Sequence, residues 1–137
     1  MENELIRITP DKEKAKAISR MVETTLAMIE SIDMDKFPSN ITREYYEAIR
    51  ELLSAILLLD GYKTYGEGAH KRQIEYIAAN YKELNGHEIF LIDELRITRN
   101  KIAYDGFFVE NNYIKRKIKD IKAITGKLRK IIKSKID

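Results

Sequence analysis

No cysteine occurs among the 137 residues. That excludes a disulfide framework, thiolate catalysis and cysteine-ligated metal. It fits a reducing compartment, and a cytoplasmic protein is expected. Histidine is nearly as scarce, with only His70 and His87. Each sits beside a predicted helix start, and no zinc-type spacing joins them. Surface or capping roles are expected for both, with no metal and no cofactor. The longest apolar run, 55–59, is far too short to span a bilayer. Residues 1–8 carry Glu2 and Glu4 and no long apolar run, so no secretory leader is expected. A Gly-rich phosphate loop and a Ser-His-Asp set are also missing.

What is present is helical patterning. Hydrophobic residues make up 44% of the chain and charged residues 34%, enough for a core and a solvated surface. The length suits one domain, residues 1–137. Five segments repeat apolar residues at helical spacing. The first starts after Thr9-Pro10, with Thr9 as cap and Pro10 at the first helical position. Its stripe is Ile18, Met21, Val22, Thr25, Leu26, Ile29 and Ile32. The second covers about 39–60, is apolar nearly all round from Leu52 to Leu59, and stops at Gly61. Such a helix lies at the centre of a fold or in an interface. The third follows Gly66 and Gly68 and is expected to end at Asn85-Gly86; the fourth covers about 88–105 and stops at Gly106; the fifth begins near Glu110. The one strand-like run is Leu5 to Ile8. Short connections point to an all-α, five-helix antiparallel up-and-down bundle.

Charge is unevenly placed. From Tyr113 to Asp137 ten Lys/Arg face two acids, so this element carries +8 and the rest −5 of the net +3. A basic helix on an acidic body is expected either to track a phosphate backbone or to present a solvated face.

The fourth helix holds the most informative residue. Its apolar stripe reads Ile92, Leu95, Ile102, and the intervening stripe position is Arg99. A guanidinium on an inward face needs a carboxylate partner, a cleft or a second subunit. Asp93 or Glu47 is a candidate partner for Arg96 or Arg99, with the pairing open. Asn100 and Tyr104 share a face at i, i+4. Arg99 and Tyr104 diverge by roughly 140° on a straight helix. They are expected to converge only at the helix edge or across a dimer.

The run Leu95-Arg96-Ile97-Thr98-Arg99-Asn100-Lys101-Ile102-Ala103-Tyr104-Asp105-Gly106 resembles the signature helix of the HEPN superfamily, with an Arg, often a following Asn, and a His about a turn later. The run Tyr45-Tyr46-Glu47-Ala48-Ile49-Arg50, ending in Leu59-Asp60-Gly61, resembles that superfamily's second helix. The resemblance implies a HEPN-like helical domain that dimerises through the motif helix. It also implies RNA or nucleotide phosphate as ligand, and a nucleotidyltransferase partner in a toxin–antitoxin-like pair. On the same basis Arg99, Asn100 and Tyr104 occupy the catalytic positions, while Arg96, Arg99 and Lys101 are the phosphate-binding cations. The alternatives are an active metal-independent endoribonuclease and a non-catalytic structural interaction module. Tyr104 stands where the family has its His. An imidazole exchanges protons near neutral pH, whereas a phenol, with a pKa of about 10, is a weak base there. The substitution favours binding over hydrolysis. His87 is a candidate replacement if the fold brings it to Arg99. By resemblance Tyr104 is also a candidate acceptor for nucleotidyl transfer.

Overall fold

The computed structural model describes residues 5–137. Its elements in chain order are β1 (Leu5–Arg7), α1 (Lys12–Glu30), α2 (Pro38–Asp60), β2 (Tyr62–Thr64), α3 (Ala69–Asn80), α4 (Gly86–Asp105) and α5 (Asn111–Ile136). It is an all-helical, five-helix bundle with one small two-stranded ribbon. Among the described residues no helix is long and apolar enough to cross a membrane.

The all-round apolar helix α2 forms the centre. It packs against each of the other four helices. Leu52, Leu53, Ala55, Ile56 and Leu57 are fully buried, which resolves the two readings of that run in favour of the core. Helices α1 and α5 run antiparallel: Glu30 faces Lys122, Glu23 faces Arg129, and Lys12 reaches the Ile136 carbonyl. The stripe of α5 closes the core through Ile114, Ile121, Ile124 and Leu128. In α1, Met21 leaves the expected stripe and is exposed, while Ala15, Val22 and Ile29 carry the buried face.

Three local features differ from the sequence expectation. Thr9 does not cap α1. Asp11 does, accepting a hydrogen bond from the Lys14 N–H at 3.0 Å. The residues before it are tied to the end of α2, because the Ile8 N–H donates to the Gly61 carbonyl at 2.8 Å and the Asp11 N–H to the Leu58 carbonyl at 3.2 Å. Asn85-Gly86 does not end α3, which stops at Asn80. Asn85 instead caps α4 in a reciprocal box with Glu88. Capping of the next helix wins because Glu88 stands at the third helical position. Finally, β2 follows Gly61 and pairs antiparallel with β1, Leu5 opposite Thr64 and Arg7 opposite Tyr62.

That ribbon positions the site. Gly61 turns the chain with φ 87°, in the left-handed region that glycine favours. The segment from β2 to Gly68 then doubles back along α2. Helix α3 consequently starts beside Tyr46, whose ring lies 6.3 Å from that of His70. It ends beside Asp60, which accepts hydrogen bonds from the Tyr76 and Tyr81 hydroxyls.

Candidate functional site

Helix α4 needs its polar residues where they are. Leu91, Ile92 and Leu95 fix its inner face in the core. One turn beyond Leu95, that same face leaves the core at the open end between α2 and α3. Arg99 emerges there with its side chain one-fifth exposed. Its Nε donates to Glu47 Oε2 at 2.7 Å, and its Nη1 donates to Asn100 Oδ1 at 3.2 Å. Glu47 also accepts from Arg50 Nε at 2.8 Å. Burial alone would raise the Glu47 pKa. The hydrogen bond and charge of Arg50, with those of Arg99, outweigh it and hold the carboxyl below its usual 4.5. Glu47 is therefore an anion shared by two guanidiniums.

Arg96 lies one turn back and donates from Nε to Asp93 Oδ1 at 2.8 Å. Both expected acids are thus in use, Glu47 on Arg99 and Asp93 on Arg96. The Arg99 guanidinium carbon also stands 6.0 Å from the Tyr104 ring centre. The expected angular divergence holds for the backbone, but the long Arg side chain bridges it within one chain. Tyr104 itself is 76% exposed.

These side chains form one wall of a cleft of about 390 Å³. The other wall is the Gly66–Gly68 turn and the start of α3, including His70 and Lys71. Gly66 and Gly68 both have φ 83°, and this tight turn lets the α3 start approach α4. His70 is the residue that sequence reasoning missed. Burial, then the charge of Arg50, lowers its pKa below 6.5, and Arg99 and Arg96 add to this against the pull of Glu47. It presents a neutral imidazole near neutral pH. Its only sequence signal was a position just after a Gly-x-Gly turn.

The other candidates lie elsewhere. His87 stands at the far end of α4 from Arg99, about 18 Å along the helix, and its Nε2 is 3.5 Å from Asp120. It does not replace the motif His. Lys101 does not line the cleft; its ammonium lies 5.8 Å from the Phe107 ring centre. Among the described residues no cluster of three or more His, Asp or Glu is arranged to hold a metal.

Helix α4 carries a second apolar stripe on its outer face. Phe90, Ile97 and Tyr104 are seven residues apart, exposed, and continued by Phe107 and Phe108. Seven-residue spacing puts all three within roughly 40° of one another on the helix.

Compared with family models, curated proteins and solved structures, the chain finds no match.

Proposed function

We propose that the cleft between α3 and α4 binds phosphate groups of RNA or of a nucleotide, in a HEPN-like dimer that works beside a nucleotidyltransferase in a toxin–antitoxin-like pair. One observation carries the binding reading: Arg96, Arg99, Lys71, Asn100, Tyr104 and His70 converge on one cavity. Arg50, Arg96, Arg99 and Lys71 stand against Glu47, Asp93 and the cleft acid Glu67, so the cluster keeps one positive charge in excess. Arg99 uses Nε and Nη1 internally and keeps N–H groups for a phosphate oxygen. The start of α3 adds backbone N–H donors on the opposite wall. The partner and the pairing rest on the motif resemblance. Dimerisation is supported by the exposed Phe90–Ile97–Tyr104 stripe, which would bury apolar surface against a second copy.

A second reading, an active metal-independent endoribonuclease, is favoured by His70. A neutral imidazole in the arginine cleft supplies the proton acceptor that Tyr104 does not. Arg99 would then stabilise charge developing on the phosphate.

Binding and cleavage of labelled RNA in the presence of a chelator test both readings. The first expects salt-sensitive binding that weakens about tenfold in Arg99→Ala, the loss of one charge-assisted contact. The second expects cleavage that vanishes in both Arg99→Ala and His70→Gln. No binding of RNA or mononucleotides at low salt would leave a structural interaction module. Light scattering tests the dimer, and a monomer at high concentration refutes it.

A further inference from the structure

The fold divides the ten cations of α5 into two sets. Six are neutralised by acids outside α5: Lys115 by Asp35, Lys117 by Glu94, Lys122 by Glu30, Lys127 by Glu88, Arg129 by Glu23 and Lys135 by Asp60. These pairs tie α5 to the acidic body. The remaining four, Arg116, Lys119, Lys130 and Lys133, are exposed and have no acidic partner within ion-pair distance among the described residues.

The four leftover cations are not scattered. At about 100° per residue they share an arc of about 100° with Ala123 and Gly126, which lie between the two pairs. The stripe is about 25 Å long at the helical rise. Its middle is low and open, since a Cβ placed on Gly126 would meet nothing within 4 Å. Alongside it, α1 and α5 form an open groove of about 700 Å³ whose wall includes Gly126, Lys130 and Lys133. The groove acid Glu23 is held by Arg129 through two hydrogen bonds of 2.6 Å, so its charge is already met. Asp137, at the helix end, is the other acid of the groove.

We infer that this stripe binds the sugar–phosphate backbone of a nucleic-acid duplex without reading its sequence. A row of cations on a straight rod complements a regularly charged duplex. Three of the four are lysines, which meet phosphates as compact point charges and lack the planar fork of arginine. No aromatic or other large hydrophobic side chain of α5 is exposed. The stripe therefore lacks the stacking platform a single strand uses and the apolar wedge a membrane helix inserts. It shares no residue with the arginine cleft, so the inference stands apart from the reading of that cleft.

The test is fluorescence anisotropy of the full chain with mixed-sequence DNA and RNA duplexes of about 20 base pairs, titrated against salt. Four phosphate contacts give a log–log salt slope of about −3.6, or roughly 150-fold weaker binding from about 50 to 200 mM salt. The Arg116→Gln/Lys119→Gln/Lys130→Gln/Lys133→Gln variant should lose that slope. The Lys130→Glu/Lys133→Glu variant should lose at least half of it. Both keep the helical circular dichroism, and Arg99→Ala keeps the duplex slope. Unchanged binding by the fourfold variant overturns the inference. So does tighter binding of a single strand of the same length, or binding to phosphatidylserine vesicles with the duplexes ignored.

Discussion

Replacing Glu47 by Gln should destabilise the fold and at the same time strengthen the cleft's hold on phosphate. The Glu47 side chain is 22% exposed and that of Arg99 20%, so the pair lies between a surface and a buried ion pair. Exposed pairs contribute about 0–1 kcal/mol, and breaking a buried pair costs about 3–5 kcal/mol. At one-fifth exposure, with two arginines losing their anion, the expected cost is about 2 kcal/mol. Urea unfolding near neutral pH measures it. The folded-state pKa of Glu47 is depressed, so its contribution is complete above the unfolded carboxyl value of about 4.3. It is lost as pH falls through the folded value. The gap between wild type and variant should therefore close in acid. Inorganic phosphate should raise the variant's midpoint more than the wild type's, because Arg50 and Arg99 then lack their internal anion. A gap below about 0.5 kcal/mol at neutral pH, or one that persists in acid, refutes the shared-anion account.

Gly61→Ala places a Cβ 3.0 Å from the Ile8 carbonyl oxygen at φ 87°. It should cost about 2 kcal/mol or more by thermal unfolding, and a neutral effect would refute the need for glycine at this turn. Asp60 accepts from the Tyr76 and Tyr81 hydroxyls and pairs with Lys135 at 2.9 Å, with 16% of its side chain exposed. Asp60→Ala should cost about 3 kcal/mol in urea, because two hydroxyls and an ammonium lose their acceptor together. A loss below about 1 kcal/mol would show that water replaces the carboxylate there.

The sequence by itself determined the helices. Apolar residues at helical spacing dictated five segments, and an all-round apolar run could only be central or interfacial. It also marked Arg99, because a charge on an aliphatic stripe violates the local pattern. Boundaries were legible where one residue type has one conformational use, as at Gly61 and Gly106. They were misread where two uses compete: Asn85-Gly86 serves equally as a stop and as a start. Only the tertiary structure decided that Glu47, 52 positions before Arg99 in the chain, is its partner. It alone brought His70 rather than His87 to the arginines, through a return segment with no helical signal. It also separated the ten cations of α5 into six that hold the bundle and four that face solvent. Periodicity reports which face of one helix avoids water. Which two faces meet depends on the path of the turns between them, and that path is fixed by packing across the whole chain.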